Sequence, residues 1–478
     1  MNKTKLFIEN FVVYGIGGVI NKIIPLIMLP IITRLMPDTF YFGLNDLSHT
    51  LINFAQAIAI MGMYDAMYRT FFEKEDTQFE ERVCSTALTF TACMSVLVFI
   101  LLLLFRKPLS QFVFGDSQYI NLLFLSAISV LIGATNSIVA APTRMQNYKK
   151  IYLVVSLTSS VVAYAISIPL LLNGYYIIAL PLSSIIAALS TEIVYFILNK
   201  KWFRLGLFDK TLLKQMLSIA IPLVPNFLIY WIFNSSDRLM IAKILGNNYA
   251  GVYAIGAKLG QCSQLIYTAF AGGWQYFAFS TMGEKNQVES NSKIFEYLGI
   301  ISFAATAFIM ALSRPIYQIF FEGDYVKGYV VSGYLFMAPL LQMLFQVAAN
   351  QFIVIKKTWP NAIILFGGAI TNVALNLILI PRIGIEGAAI ATLIGYILTD
   401  IICCSVLVRM HLMVISIRFF ISSGLTFIYI LLWRLFFREN WLIGTLLSMA
   451  LCLSLFAMYR NDLSLLWSNL QKKGRDTK

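Results

Sequence analysis

One apolar segment of this chain carries charged side chains whose types suit the binding of an anion. The segment WIFNSSDRLMIAK (231–243) places Asp237 beside Arg238 and ends on Lys243. A guanidinium offers a planar, two-pronged match to phosphate oxygens, whereas an ammonium acts as a point charge. Adjacent residues on a helix point in different directions, so Asp237 need not pair with Arg238. We therefore interpret Arg238 as facing a polar ligand, with a purely structural role as the alternative for either residue.

Two lysines, Lys22 and Lys258, lie nearest the middle of apolar segments. A basic residue at the centre of a membrane helix costs roughly 2.5–3.5 kcal/mol on insertion scales, so it is usually paired or faces a wet cavity. We predict that Lys22, Arg238 and Lys258 are the cations of a substrate cavity. The alternative is that each lysine pairs with a fixed carboxylate. Positions predicted to support that cavity are Asn21, Asn234, Asp237 and Lys243.

Other charged residues suggest an ion-coupling site and a basic entrance. Glu192 and Asp400 fall at equivalent places near the ends of two apolar segments. One hypothesis makes one of them a coupling site for H+ or Na+. The alternative makes both of them helix-end carboxylates that contact loop lysines. Apart from such a coupling ion we expect no cofactor. The basic residues expected at a cytoplasmic entrance are Arg69, Arg144, Lys356 and Lys357.

No pattern in the sequence indicates catalysis, a metal site or nucleic-acid binding. All six cysteines lie in apolar runs, and the two histidines, His49 and His411, are far apart, which predicts no metal site. No nucleophile constellation or carboxylate pair stands out, so we expect no enzyme. The net charge of +13 does not predict a nucleic-acid partner, because no long basic segment carries interleaved aromatic residues.

The composition identifies the fold class. Of the 478 residues, 59% are hydrophobic and 12% are charged. A soluble protein has about 25% charged residues. The mean hydropathy is +0.76, and apolar runs long enough to cross a ~30 Å hydrocarbon core recur from end to end. We predict an all-α polytopic membrane protein with about fourteen transmembrane helices.

The positions of basic residues predict the orientation of these helices. Most of the 36 lysine and arginine residues fall on the cytoplasmic side if both termini are cytoplasmic, as the positive-inside rule requires. The first apolar run continues without a small-residue cleavage site, so we interpret it as a retained span rather than a signal peptide. In this topology Arg238 lies near the outer end of the seventh span.

Two halves of the chain are similar in sequence. SIPLLLNGYYIIALPLSSIIAAL (167–189) aligns with LILIPRIGIEGAAIATLIGYIL (377–398), and RLMPDTFYFGLNDL (34–47) aligns with KILGNNYAGVYAIG (243–256), with one extra residue in the first copy. Six spans in each copy make a parallel repeat, for which rocking of one lobe against the other is the expected mechanism. The predicted domains are an N-terminal lobe (1–198), a basic cytoplasmic linker (199–214), a C-terminal lobe (215–410), and an extra helix pair with a basic tail (411–478).

Two segments carry a family resemblance. IPLVPNFLIYWIFNSSDRLMIAKILGNNYAGVYAIGAKL (221–259) resembles helices seven and eight of Wzx-type bacterial polysaccharide flippases, and ITNVALNLILIPRIGIEGAAIATLIGYILTD (370–400) resembles their helices eleven and twelve. These proteins are similar to lipid II flippases and multidrug and toxin extruders of one exporter superfamily. The resemblance implies an inner-membrane flippase that moves undecaprenyl-pyrophosphate-linked repeat units of O antigen or capsule to the periplasmic leaflet. It also implies, as partners, that cargo, membrane lipids, a polysaccharide polymerase and a chain-length regulator.

Two other functions of the same superfamily remain as alternatives. One is a flippase for lipid II or a teichoic precursor, and the other is a multidrug or cation antiporter. An exporter of cations should hold acidic residues in its cavity. Here the charges nearest mid-span are the lysines Lys22 and Lys258, which suit an anionic pyrophosphate.

Overall fold

The computed structural model describes residues 23–267, 270, 274, 278, 286–357 and 359–476. Within these ranges the chain is helical with short turns and contains no β-strand. Eleven of the described helices are long and apolar enough to cross a membrane. The predicted class, an all-α polytopic membrane protein, is therefore confirmed.

The number of fourteen spans stays a prediction. The first predicted span is described only as the short apolar helix α1 (Ile23–Leu35). The second corresponds to α2 (Thr39–Ile60), whose buried face carries Asn45, Asp46 and Ser48, so its composition is more polar than that of the eleven candidate spans. The eighth lies partly outside the described residues.

The described chain divides into two compact units, of which the first contains residues up to 255 together with 321–325 and 369–391. Most helices of this unit follow one another directly along the chain. After α1 and α2 they are α3 (Met63–Phe71), α4 (Thr77–Leu104), α5 (Arg106–Phe114), α6 (Ile120–Met145), α7 (Lys149–Leu172), α8 (Ala179–Asn199), α9 (Lys210–Ala220), α10 (Val224–Ile244) and most of α11 (Asn247–Gly260).

Helix α6 is the central helix of the first unit, because it packs against α2, α4 and α8. Its buried face carries small residues such as Ala127 and Ala134. Small side chains allow close approach of helices in a membrane, where packing and hydrogen bonds drive association. One such bond joins the hydroxyls of Ser48 on α2 and Ser126 on α6, whose oxygens lie 2.7 Å apart.

The segment 199–214, predicted as a linker, is folded against the start of α4. The backbone N–H of Arg204 donates to Ser85 Oγ over 2.9 Å, and that of Asp209 donates to Thr86 Oγ1 over 3.0 Å. The Asp209 carboxylate caps α9, which begins within the segment, by accepting a bond from the N–H of Thr211. The segment is therefore ordered, while the domain boundaries assigned to it stay predictions.

The second unit contains the described residues of 256–320, 326–368 and 392–476. Helix α12 (Gln287–Phe320) packs against α13 (Tyr329–Val354), α16 (Ile417–Leu432) and α17 (Trp441–Asp476). The Glu296 carboxylate on α12 accepts bonds from the N–H (2.7 Å) and hydroxyl (2.8 Å) of Ser416 and so fixes the start of α16. The helices are α12 (Gln287–Phe320), α13 (Tyr329–Val354), α14 (Trp359–Ile383), α15 (Ile385–Arg409), α16 (Ile417–Leu432) and α17 (Trp441–Asp476), with the end of α14 and the start of α15 in the first unit.

Candidate functional site

A buried ionic cluster lies in the first unit, where α2 meets α10 and α11. The Arg238 Nε atom is 2.6 Å from Asp46 Oδ2, and its Nη1 atom is 3.7 Å from Asp237 Oδ1. The Tyr253 hydroxyl donates to the other oxygen of Asp237. All four residues are more than nine-tenths buried. The cluster therefore joins three helices through polar contacts that are shielded from solvent.

The local geometry of α10 prepares the two charged residues for this arrangement. The Asp237 carboxylate accepts the backbone N–H of Arg238 over 2.9 Å, and the Arg238 guanidinium donates to the carbonyl oxygen of Asn234 one turn earlier. Each ion thus has a partner on its own helix, and Asp46 supplies the ion pair from α2. Buried ions need such additional hydrogen bonds, because the attraction between two charges alone barely repays their desolvation.

Next to the cluster, α2 and α11 cross at two glycines. A Cβ atom added at Gly43 would overlap the carbonyl oxygen of Asn247, and one added at Gly251 would overlap the carbonyl oxygen of Thr39. The alignment of 34–47 with 243–256, with its one extra residue, pairs Gly43 with Gly251 and Thr39 with Asn247. The contact is therefore reciprocal, as expected where two copies of one motif meet across a two-fold axis.

Further polar contacts surround the crossing at the start of α2. The Asn248 side chain donates to Asp38 Oδ1 over 3.0 Å, and the Tyr325 hydroxyl donates to the carbonyl oxygen of Asp38 over 3.0 Å. Arg34 pairs with Glu322 at 3.0 Å, but both side chains are largely exposed, so this pair contributes little. These contacts at the start of α2, which we call the rim, thus belong to the same polar contact as the buried cluster.

Further along α2 and α10, the contact between the helices includes the aromatic residue Trp231. The indole N–H of Trp231 on α10 donates to the carbonyl oxygen of Thr50 on α2 over 3.1 Å. Its ring lies 4.8 Å from that of Phe54, centroid to centroid. The polar and aromatic contacts together follow α2 over about two turns from Asp46 to Phe54.

Of the three predicted cavity cations, the structure describes Arg238 and Lys258. Lys22 and Asn21 lie outside the described residues. Lys258 is exposed on α11 and belongs to the second unit. Arg238 is held by two carboxylates in this conformation. The role of these three cations in cargo binding stays a prediction.

The predicted supporting residues have local partners. Asn234 is exposed and donates to the carbonyl oxygen of Tyr230 over 2.7 Å. The Lys243 ammonium lies 3.2 Å from the centroid of the Phe112 ring. Asp237, in contrast, is a member of the buried cluster.

The residues predicted at a cytoplasmic entrance are all exposed. Arg144, at the end of α6, donates to the Tyr64 hydroxyl over 2.9 Å. Lys356 and Lys357 lie in the turn after α13, and Lys356 has a left-handed backbone with φ of 59°. Arg69 lies in the last turn of α3. Their exposure is compatible with an entrance and does not test it.

The two predicted coupling carboxylates differ in environment. Asp400 on α15 is 8% exposed, and neither of its carboxylate oxygens has a hydrogen-bond partner in the described part of the chain. Glu192 on α8 is half-buried and interacts with the Thr135 hydroxyl. The residues described contain no group of three His, Cys, Asp or Glu side chains that could share a metal ion.

The sequence alone did not indicate the residues that complete the cluster and the crossing. Asp46 and Tyr253 were not assigned to a site, because their partners lie on other helices. The signal that could have found Gly43 and Gly251 is their pairing in the internal alignment.

The fold and this contact define a polytopic helical membrane protein in which helices from two sequence copies meet at a buried polar cluster. The chain belongs to the family of polysaccharide biosynthesis proteins, whose family model matches residues 31–329. The resemblance is thus confirmed at the level of the polysaccharide biosynthesis family. A search of curated protein sequences gave no match.

Several solved transporters have a similar fold. The lipid II flippase MurJ in an inward closed conformation matches with a TM-score of 0.69 at 16% identity, over 95% of this chain and 100% of that one. An inward-facing multidrug resistance MATE family transporter of the MOP superfamily matches with a TM-score of 0.63 at 16% identity, over 82% and 98%. A MOP superfamily transporter from Pyrococcus furiosus matches with a TM-score of 0.58 at 15% identity, over 84% and 95%. At these identities the similarity establishes the fold.

Proposed function

We propose that the chain is a flippase that moves undecaprenyl-pyrophosphate-linked oligosaccharide repeat units from the cytoplasmic to the periplasmic leaflet of the bacterial inner membrane. Membership of a polysaccharide biosynthesis family and a fold similar to that of membrane exporters support this class of cargo. The proposed mechanism is alternating access, in which two lobes of a parallel repeat rock about a central site. Both termini lie in the cytoplasm in this proposal.

The observation that carries the mechanism is the contact of α2 with α10 and α11. These helices come from different sequence copies, yet they meet at the Gly43–Gly251 crossing beside the Asp46–Arg238 ion pair. A permanently buried ion pair is often no more stable than apolar packing. Ions at a contact that opens to water, however, regain their hydration in the open state. A polar cluster at this position therefore suits a contact that forms and breaks.

In the proposed orientation this contact closes the periplasmic end of α2, α10 and α11. Arg238 contributes to the closed contact in the described conformation. Its predicted role toward a pyrophosphate then applies to the state in which α2 has moved away from α10. Cargo can shift the equilibrium between the two states only if it binds one of them more tightly.

We assign the coupling site to Asp400 rather than to Glu192. An ionised carboxylate that is buried without a partner is costly. Asp400 is buried and has no hydrogen-bond partner in the described part of the chain, whereas Glu192 is half-buried and interacts with the Thr135 hydroxyl. A proton or a cation at Asp400 would remove that cost in the conformation described. Glu192 can remain solvated at its helix.

The experiment that tests the proposed function uses the full chain in proteoliposomes. The probe is undecaprenyl pyrophosphate that carries a fluorescent oligosaccharide, and the measurement is the fraction that becomes accessible to a membrane-impermeant quencher. We expect flipping of this probe, no transport of a cationic dye such as ethidium, and weaker flipping of lipid II. Dye export without lipid flipping would contradict the proposal and favour the antiporter. Preferential flipping of lipid II would contradict the assigned cargo.

A further inference from the structure

A polar cavity of about 420 Å³ lies in the first unit between α6, α7 and α8. Its described wall contains four serines, a threonine, an asparagine and two tyrosines, and no charged side chain. Small-molecule sites usually have volumes of ~300–1,000 Å³, so the cavity is large enough for a bound ligand. None of its residues belongs to the ionic cluster at the start of α2.

The packing of the three helices explains the cavity. Helix α8 packs closely against both α6 and α7, whereas α6 and α7 have few contacts with each other. The gap between α6 and α7 is lined by Tyr152 and Ser159 of α7, which are spaced to share one helix face, and by Asn136 of α6. Exposure of such a polar helix face to lipid costs free energy, so polar residues in membrane helices usually face protein or water.

The polar groups of the wall include free hydroxyls. The Asn136 amide donates to Thr191 Oγ1 over 3.1 Å, which fixes its orientation across the floor of the cavity. The hydroxyls of Ser159 and Ser160 line the cavity and make no hydrogen bond to the described part of the chain. Two neighbouring hydroxyls can donate to, and accept from, a ligand that carries hydroxyl groups of its own.

One wall of the cavity is aromatic. The rings of Tyr152 and Tyr195 are stacked with centroids 6.3 Å apart and planes at 28°. The Tyr195 hydroxyl donates to the carbonyl oxygen of Tyr152 over 3.3 Å, so the pair is held in place. The Arg144 guanidinium lies 5.3 Å from the centroid of the Tyr152 ring. A tyrosine offers an apolar ring face together with a polar hydroxyl.

The cavity lies toward the basic ends of its helices. The cavity is near the C-terminal end of α6 at Met145, the N-terminal end of α7 at Lys149 and the C-terminal end of α8 at Asn199. Two basic residues lie here: Arg144 directly precedes the last residue of α6, and Lys200 directly follows the last residue of α8. In the proposed orientation this end of the three helices is the cytoplasmic end, from which a lipid-linked oligosaccharide has to be loaded.

We propose that this cavity binds a neutral saccharide unit of the cargo head group; the inference rests on the proposed function. A wall without charges gives no advantage to a cation or to a phosphate, and hydroxyl groups make it a poor site for an acyl chain. A sugar presents hydroxyls to Ser159 and Ser160, and its apolar face can lie against the stacked pair of Tyr152 and Tyr195. The cavity then contributes to the choice of sugar, whereas the pyrophosphate is bound elsewhere.

The test compares two probes on the full chain in nanodiscs: undecaprenyl pyrophosphate, and the same lipid linked to a neutral trisaccharide. For the double variant Ser159→Ala/Ser160→Ala we expect the Kd for the trisaccharide lipid to rise about tenfold, because two hydrogen bonds to the sugar are lost. The Kd for undecaprenyl pyrophosphate should not change. Tyr152→Leu should have the same selective effect, and Tyr152→Phe, which keeps the ring, should retain most of the affinity.

The matched control is Thr158→Ala. Thr158 is next to Ser159 on α7, but it is exposed and its hydroxyl bonds to the Val154 carbonyl oxygen over 2.8 Å. An equal loss for both probes, or a loss with Thr158→Ala, would overturn the saccharide site. Unchanged binding in the double variant would also overturn it and leave the flippase function intact. If the wild-type chain binds neither lipid, the proposed function itself fails.

Discussion

Gly43 and Gly251 face each other where α2 crosses α11, at a distance that leaves no room for a Cβ atom on either residue. The same pair is matched by the alignment of the two sequence copies. In the proposed mechanism, movement of one copy against the other has to separate these two helices. The crossing is therefore the place where the mechanism can be tested most directly.

A valine at Gly43 should prevent this close crossing. Overpacking in a tight helix contact costs about 1–3 kcal/mol. We expect Gly43→Val to lower the unfolding temperature of the purified protein and to reduce flipping of the lipid-linked oligosaccharide. Gly424→Val is the control, because among the described residues no atom outside the adjoining backbone of its own helix lies within 4 Å of a Cβ built at Gly424. Wild-type stability and flipping in Gly43→Val would show that the crossing is not required.

Removal of the arginine from the ionic cluster should be more harmful than removal of one acid. Arg238→Met leaves Asp46 and Asp237 buried without a cation, and breaking a buried pair in this way costs about 3–5 kcal/mol. Asp237→Asn leaves one acid for one guanidinium and should be milder. We expect little folded Arg238→Met protein by size-exclusion chromatography, with recovery in the double variant Asp46→Leu/Arg238→Met.

The control for the cluster is Arg106→Met, since Arg106 is exposed at the start of α5. Such a surface change usually alters stability by less than about 0.5 kcal/mol. A well-folded Arg238→Met protein that no longer flips lipid would contradict the structural role in the closed contact. That result would favour direct binding of the cargo by Arg238.

A covalent link across the rim should lock the closed contact. Asn248 donates to Asp38 Oδ1 over 3.0 Å, so cysteines at these two positions are within reach of a short thiol cross-linker. In a background without the six native cysteines, we expect cross-linked Asp38→Cys/Asn248→Cys protein to stop flipping. A cleavable reagent should allow recovery on reduction. Flipping at the normal rate in fully cross-linked protein would exclude separation of α2 from α11 as a step.

Asp400→Asn should uncouple transport from the ion gradient. The amide has nearly the shape of the acid but cannot release a proton or hold a cation by charge. We expect flipping by Asp400→Asn to lose its response to an imposed H+ or Na+ gradient, while Glu192→Gln keeps that response. The measurement is the initial flipping rate with and without the gradient. A gradient response that survives in Asp400→Asn and is lost in Glu192→Gln would reverse the assignment.

Lys258 should act through its charge if it meets the pyrophosphate. We expect Lys258→Ala to reduce flipping, Lys258→Arg to be milder, and Lys258→Glu to abolish flipping without loss of folded protein. The control is Lys107→Glu, because Lys107 is exposed on α5. Low expression of Lys258→Ala with normal activity per folded molecule would instead indicate that Lys258 pairs with a fixed carboxylate.

Much of the fold class and the family could be predicted from the sequence. The hydropathy of runs such as 77–104 is a local property, and it decides by itself whether a segment enters a membrane as a helix. The family resemblance also rests on contiguous segments, of which 221–259 lies within the residues that the family model matches. The polar helix α2 is not among the candidate spans by composition, because Asn45, Asp46 and Ser48 interrupt its apolar residues.

The sequence by itself determined an all-α membrane protein of a polysaccharide biosynthesis family, because composition and contiguous motifs carry that information. Only the tertiary structure decided that Arg238 pairs with Asp46 and that serines of α7 share a cavity with Asn136 and Tyr195. Asp46 and Arg238 lie on helices that are distant in the chain, and the cavity residues lie on three successive helices. Their pairing depends on which helix faces meet, and a single sequence does not encode that choice locally.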